Sequence, residues 1–471
     1  MTDTPNPSTG SSSSASSGAS VGGDTLSWSS HAGFLMACIG AAVGLGNIWK
    51  FPYMAGTQGG GAFVMIYLLT IFLIAIPVAA AELVTGRAGR QNAVGAVRHM
   101  AENGNRPNIF APVGIIGIAG SYLLLTFYAV IAGWVMAYVA RSASGMLAGK
   151  NSVEINMVFD DLLANPVEMI TWQVLFLALT GLVISREIRK GLERANLILM
   201  PLLFVMLLVV CIYGVVAGDM GQAMAFLFTP DFSQITPEVI LSAVGHGFFS
   251  VGVGAAMLIT YGAYLDKHIS IGEAAIVIGL ADTLIALLAG LGIFAIVFGQ
   301  SLDPAAGPGL IFTTLPLAFT TMPGGSILAT LFFLLVLFAA LTSALALTEV
   351  PVRWVNETFN ISRSRATNLV LVSIFVIGLA SVFSFNALAD FRLTSEGVFA
   401  DKTLFDVKDY IASNILLPLG GLLIVTFAAW VAPADYTARH FGGPAWLHTS
   451  WLWLARIVAP TGIVWVFIEN L

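Results

Sequence analysis

The residues best suited to chemistry stand where an unbroken apolar helix would be expected. The stretch GAAVGLGNIWKFP, residues 40–52, holds three glycines (Gly40, Gly44, Gly46), an amide (Asn47), a cation (Lys50) and a proline (Pro52), directly after the apolar run HAGFLMACI. Unwinding at Gly44 and Gly46 would free backbone N–H and C=O groups at membrane depth, which is tolerated only where they line a cavity. Half-helix N-termini favour an anionic group, and freed carbonyls suit a small cation. Asn47 adds a side-chain oxygen, so this stretch can bind a carboxylate and sodium together.

Asp282 is the other outstanding group. It lies about ten residues into an apolar run, roughly 15 Å along a helix by its rise. A carboxylate at that depth is expensive and marks a functional site, unless it is neutral and bonded to a neighbouring helix. His246 invites either proton coupling or a hydrogen-bonded structural role, and Glu82, five residues before Arg87, could form an interface pair. No HExxH occurs, and the six histidines (His31, His99, His246, His268, His440, His448) form no ligand-spaced pair on one span, which argues against an intramembrane metalloenzyme. Cys38 and Cys211 each sit inside an apolar run and imply neither a disulfide framework nor a thiolate metal site.

The elements that must position these groups follow from composition. The chain has 471 residues, 57% hydrophobic and 10% charged, with a mean hydropathy of +0.89. That balance belongs to an integral membrane protein, and apolar runs near twenty residues long indicate a helical bundle. A transmembrane barrel would show alternating ten-residue segments instead. No basic run supports nucleic-acid binding. Eleven spans are expected near 32–54, 62–85, 109–145, 167–185, 191–217, 238–264, 271–299, 325–350, 366–385, 412–433 and 448–469. Residues 1–27, Ser/Gly-rich over their first 23 and free of Lys and Arg there, read as a disordered tail and not as a signal peptide.

Charge sets the orientation. Thirteen Lys and Arg fall in the loops of one side, among them Arg87, Arg98, Arg186, Lys190, Lys267 and Arg439, against five on the other. This places the N-terminus in the cytoplasm and the C-terminus outside, in the plasma (inner) membrane. AVGLGN (42–47) in helix 1 is echoed by SVGVGA (250–255) in helix 6, 208 residues later. Paired Gly-interrupted helices at corresponding positions point to a transporter binding site built from inverted repeats. Close helix packing by small residues is the rival reading. The expected organisation is a first repeat over 28–218 (helices 1–5), a second over 219–435 (helices 6–10), and helix 11 over 436–471.

At these residues the chain resembles the neurotransmitter:sodium symporter family, particularly its bacterial amino-acid members. GAAVGLGNIWKFPYMAGTQGGGAF, KGLERANLILMP, GFFSVGVGAAMLITYGAYL, LFAALTSALALTEV and TLFDVKDYIASNILLP match its signatures in order from about Trp28 to the last helix. The resemblance implies an all-α integral membrane protein with a leucine-transporter-like fold, helices 1 and 6 unwound at mid-membrane. It implies a first sodium site at the Ala42 carbonyl, Asn47, Ser250 and Asp282. A second would use the carbonyls of Gly40, Val43 and Ala339 with the hydroxyls of Thr342 and Ser343, although such hydroxyls alone are often i−4 back-bonds in a helix. Oxygen-only ligands suit a hard alkali cation.

Family members commonly carry Asn where Asp282 stands, and the chloride-dependent ones hold the anion close by. Tyr67 and Ser250 match that chloride site, but His246 replaces a glutamine and Ala286 a serine. Asp282 is therefore expected to ligate sodium and to supply the negative charge that chloride provides elsewhere. The resemblance also offers Glu82 as a cap on unwound helix-6 backbone.

By the same resemblance the substrate pocket is lined by Ala41, Ala42, Gly44, Leu45, Gly46, Leu124 and Tyr128, with Phe249, Ser250, Gly252, Ala255, Ser343 and Leu347. Monoamine carriers place an aspartate where Gly44 stands, so here the substrate should bring its own carboxylate. No ionisable residue lines the side-chain end, which favours neutral, bulky hydrophobic or aromatic amino acids. Lys50 and Asp409 match the extracellular gate pair, with Lys in place of Arg. Glu357 holds the inner acidic position, but Thr25 stands where a basic partner is usual.

The expectation is sodium-coupled import of neutral amino acids by alternating access, with two sodium ions, no organic cofactor, no chloride requirement and the bilayer as partner. Another small zwitterion or proton coupling remains the alternative. A channel would need a continuous polar pore, whereas the polar groups concentrate at one depth. A sensor that binds without transporting is not distinguished by the sequence.

Overall fold

The computed structural model describes residues 27–470, so the tail expected over 1–27 lies, apart from Ser27, outside the described residues. Among these every regular element is helical. In chain order, α1 (His31–Ala42) and α2 (Gly46–Thr57) meet at a 47° bend. They are followed by α3 (Gly61–Gly89), α4 (Ala93–Asn103), α5 (Asn108–Ala143), α6 (Ser152–Ala164), α7 (Pro166–Ile184), α8 (Arg189–Ala217) and α9 (Met220–Phe228). Then come α10 (Pro237–Val251), α11 (Met257–Gly262), α12 (Ile271–Gly299), α13 (Thr314–Thr321), α14 (Gly325–Phe359), α15 (Arg363–Phe383), α16 (Leu404–Val431), α17 (Ala434–Phe441) and α18 (Ala445–Ile468). Among the described residues nine helices are long and apolar enough to cross a membrane, or ten with the bent α1–α2 pair as one span.

Helix α14 runs through the centre of the bundle, packed along α5 and also against α1, α8 and α15. It continues past the 350 boundary expected from sequence, with Pro351 inside it. Neighbouring helices can re-satisfy the backbone group that a proline frees in such a bundle. Helix α16 begins earlier than expected, at Leu404, where a Thr403–Asp406 capping box starts it. The short helices α4, α6, α9, α13 and α17 had no counterpart among the expected spans.

Two interruptions shape the centre. Helix α1 stops at Ala42, where Val43 turns extended (φ −72°, ψ 105°). Helix α10 starts from a Thr236 cap with Pro237 in its first turn. It ends as the backbone passes through positive φ at Gly252 (70°), Gly254 (86°) and Ala256 (57°). Glycine is required at 254 on two counts: the left-handed backbone, and a β-carbon position only 2.0 Å from the Leu417 carbonyl oxygen. Glu82 of α3 holds the loosened segment, accepting the Gly254 N–H at 2.6 Å and the Leu258 N–H at 3.1 Å. Of the two readings of Glu82, the structure shows the backbone cap.

Candidate functional site

Asp282 lies fully buried midway along α12, and three side chains from three other helices converge on it. Asn47 Nδ2 donates to Oδ1 at 2.7 Å, Ser250 Oγ donates to Oδ2 at 2.8 Å, and Tyr67 Oη donates to Oδ2 at 3.1 Å. Asn47 Oδ1 accepts the Gly44 N–H at 2.9 Å, so the amide ties the α1–α2 break to the carboxylate. Among the described residues no lysine or arginine pairs with Asp282. A buried carboxylate is costly without compensation, and three donors supply part of it. The rest of its charge is available to a small cation. His246 sits beside this cluster, caged by Phe51, Phe63 and Tyr67 at ring distances of 5.9, 5.9 and 5.3 Å. Neither of its ring nitrogens has a hydrogen-bond partner among the described residues.

A second oxygen cluster forms where α14 meets the same break. Ser343 Oγ lies 3.2 Å from the carbonyl oxygens of Ala41 and Val43 and 3.4 Å from that of Gly40. Thr342 Oγ1 lies 3.0 Å from the Ala339 oxygen and 3.4 Å from that of Val43, and also makes the ordinary i−4 bond to Phe338 at 3.1 Å. The five positions expected for the second site (Gly40, Val43, Ala339, Thr342, Ser343) are thus contiguous with one another through hydroxyl–carbonyl contacts. The set contains only oxygen donors and no formal charge.

Between the break and α5 lies a cavity of about 20 Å³, room for little more than one water. Of the thirteen residues named from sequence for a substrate pocket, twelve line this cavity: Ala41, Ala42, Gly44, Leu45, Gly46, Leu124, Tyr128, Phe249, Gly252, Ala255, Ser343 and Leu347. Ser250 is the exception; its hydroxyl is engaged by the Asp282 cluster. Met257, absent from the sequence reading, joins the lining. Its Cε lies 2.1 Å from where a β-carbon on Gly252 would sit, so the thioether folds into space that glycine leaves open. Gly44 is a close approach of the same kind: a β-carbon there would lie 2.3 Å from Ser343 Oγ and 3.1 Å from Tyr128 Oη. The Leu45 N–H donates to Tyr128 Oη at 3.4 Å.

Phe249 separates this cavity from an aromatic vestibule of about 360 Å³, walled by Trp49, Tyr53, Phe127, Trp134 and Phe312. Lys50 Nζ lies 4.2 Å over the Phe249 ring and 3.5 Å from Asp409 Oδ1. Asp409 is held in turn by Ser413 Oγ at 2.8 Å. The pair and the ring together form a layer across the vestibule floor.

The opposite end is packed shut. Trp28 packs edge-on or tilted against Phe34, Tyr261 and Tyr264, its Nε1 donating to the Tyr261 carbonyl at 3.1 Å. Glu357 pairs with Arg353 at 2.6 Å and accepts from the Asn92 backbone and side-chain nitrogens at 2.7 and 2.8 Å. Thr25 lies outside the described residues. The first described residues are fastened instead by α8: Arg189 donates to Ser27, and Glu193 accepts the Ser29 N–H at 3.0 Å. Glu349 is buried in a pair with Arg363 and also accepts from Tyr264 Oη at 3.0 Å.

Comparison with known proteins matches this architecture to one group. The model of the sodium:neurotransmitter symporter family matches residues 26–157 and 153–391. The chain is 36% identical over 449 residues to the uncharacterized sodium-dependent transporter YhdH of Bacillus subtilis, covering 94% of this chain and 97% of that protein. An uncharacterized sodium-dependent transporter of Haemophilus influenzae is 32% identical over 452 residues, covering 94% and 98%. The crystal structure of MhsT in complex with L-phenylalanine superposes with a TM-score of 0.87 at 37% identity, covering 94% of this chain and 99% of that one.

Proposed function

Because the chain belongs to the sodium:neurotransmitter symporter family and is a multi-pass, sodium-dependent membrane transporter, we propose that it imports neutral amino acids, bulky hydrophobic or aromatic ones among them, coupled to two sodium ions and without chloride. The observation that carries this reading is the convergence of Asn47, Ser250 and Tyr67 on the buried Asp282, beside a cavity with no Asp, Glu, Lys, Arg or His side chain in its lining. Eleven spans follow if α1–α2 and α10–α11 each count as one interrupted span beside the nine continuous ones. The interruptions then fall at equivalent places in two inverted five-helix repeats, over 28–218 and 219–435, with helix 11 over 436–471.

In this mechanism the first sodium ion is held by the Ala42 carbonyl, Asn47, Ser250 and Asp282. The second is held by the Gly40, Val43 and Ala339 carbonyls with Thr342 and Ser343. The substrate carboxylate meets helix-1 backbone N–H groups at the break, the Tyr128 hydroxyl and the first ion. Its side chain points toward Leu124, Phe249, Gly252, Ala255 and Leu347. MhsT, a solved relative with L-phenylalanine bound, supports an amino-acid substrate of this size. In this reading Asp282 contributes the negative charge, with Ala286 one turn away. The closed cavity must widen from the vestibule side, by parting Lys50, Asp409 and Phe249. Release needs the Trp28, Glu193 and Glu357 contacts at the other end to part.

Each sodium ion entering gains about 2.3 kcal/mol per 100 mV. Two ions with a zwitterion would gain about 4.6 kcal/mol, enough for accumulation on the order of a thousandfold. The test is uptake of labelled leucine, phenylalanine and tryptophan into proteoliposomes, with and without an inward sodium gradient, chloride absent throughout. Sodium-dependent accumulation is expected. Accumulation driven only by a proton gradient, or only with chloride present, would overturn the reading.

A further inference from the structure

Arg87 closes the base-rich end of α3 in an unusual setting. Its side chain is 3% exposed, yet it has no carboxylate partner among the described residues. Nη1 donates to the backbone oxygens of Asp266 and Ile269, while Nε and Nη2 are buried with no partner. A guanidinium left with two unpaired donors is costly and well suited to a phosphate. Two glycines pack closely around it and the adjoining Ser270. A β-carbon on Gly442 would lie 3.3 Å from Arg87 Nη2, and one on Gly443 would lie 2.4 Å from Ser270 Oγ.

The surroundings are basic. Partial burial first, then the cations Arg87, Arg439, Lys267 and His99, holds the His440 imidazole below the usual histidine range. Of the neighbouring carboxylates, Asp435 is paired with Arg439 at 3.3 Å, and Asp266 and Glu273 face solvent.

This cluster caps an apolar groove of about 250 Å³ between α3, α12 and α18, walled by Phe72, Ile76, Ala275, Phe441, Leu447 and Trp451. Groove and cluster are continuous. Gly272 lets Phe441 and Leu447 close against α12, with β-carbon distances of 2.8 and 2.5 Å, and Phe441 is followed directly by the Gly442 that abuts Arg87. We infer that the groove and the Arg87 cluster together form a binding site for one anionic phospholipid, its acyl chain along α3 and α12 and its phosphate on Arg87. A cationic end above a chain-shaped apolar groove is the complement of such a lipid, and basic residues at a membrane surface select anionic headgroups over zwitterionic ones.

Native mass spectrometry of the full chain in detergent, offered phosphatidylglycerol and phosphatidylcholine of the same acyl chains, tests this. Wild-type protein should retain phosphatidylglycerol about tenfold over phosphatidylcholine. Arg87→Gln should bring that ratio near one. Ser450→Trp, which narrows the groove from an exposed position, should lower retention of both lipids. Should Arg87→Gln not fold, the exposed double variant Lys267→Ser/Arg439→Ser should still reduce the ratio. Equal retention by the wild type overturns the site, as does a full preference surviving every one of these changes. Displacement of the lipid by inorganic phosphate alone would make it a free-anion site and overturn the lipid assignment.

Discussion

The cluster around Asp282 and the cluster around Thr342 and Ser343 both abut the break between α1 and α2, yet they are built on different terms. The first contains a formal charge and short, directed bonds of 2.7 and 2.8 Å from Asn47 and Ser250. The second contains hydroxyls shared among several carbonyls at 3.0 to 3.4 Å, with no charge. Charge acts over distance and is hard to replace in a buried site, whereas a dipole acts only where its geometry is kept. A cation at Asp282 would therefore be held mainly by electrostatics, and one at Thr342 and Ser343 by the fit of the break against α14. The two proposed sodium sites should fail differently when altered.

Asp282→Asn should produce the largest effect. It keeps the shape and removes the charge, so chloride-free uptake is expected to fall by about a hundredfold or more. Added chloride should recover part of it if the carboxylate stands in for an anion, as sodium-driven uptake in matched chloride and gluconate buffers would show. Unchanged chloride-free uptake would erase the distinction between the sites. Thr342→Val, nearly isosteric, removes one oxygen donor only. It should raise the half-saturating sodium concentration about tenfold, with chloride making no difference. A chloride response in this variant would mean that the charge at Asp282 does not act locally.

Glu82→Gln should come next. The glutamine keeps one oxygen for the Gly254 or Leu258 N–H and turns its own amide toward the other, leaving a buried donor unmatched at a cost of about 1–3 kcal/mol. Thermal stability should drop and maximal uptake should fall a few-fold, while sodium affinity at both sites stays near wild type. A large change in sodium affinity would show that the second break, and not the first alone, sets the ion sites.

How much of this was readable beforehand depended on whether the signal was local. The breaks were legible because Gly-x-Gly and Asn47 interrupt apolar runs that would otherwise continue. Asp282 was legible because a carboxylate in such a run has few reasons to be there. The α6 helix could have been found as well: Asn151 and Glu154 form a capping box that a search for membrane-length spans passes over. Partnerships between distant segments left no such mark. The choice between Arg87 and α10–α11 backbone as the partner of Glu82 rests on a contact 172 residues away in sequence. The fastening of Ser29 by Glu193 spans 164 residues. The expected end at 350 was also passed, since a proline usually ends a helix and here the surrounding bundle carries α14 through Pro351.

Met257 is where the two clusters can be separated from the substrate altogether. Its side chain enters the cavity opposite Gly252 and touches neither oxygen cluster among the contacts that define them. Methionine is flexible and fills irregular gaps, so it can adjust to side chains of different shape. Met257→Ala would remove that adjustable wall and enlarge a cavity now measuring about 20 Å³. Larger aromatic substrates should then gain on branched aliphatic ones, with the ratio of their kcat/KM values shifting about tenfold. Sodium affinity should not move. Ala255→Phe, which fills the same region, should shift the ratio the other way. Competition between labelled tryptophan and leucine at fixed sodium reads both variants. If Met257→Ala instead weakened sodium binding, substrate pocket and ion sites would be one cooperative unit, and the contrast between a charge-held and a geometry-held ion would have to be measured with substrate bound.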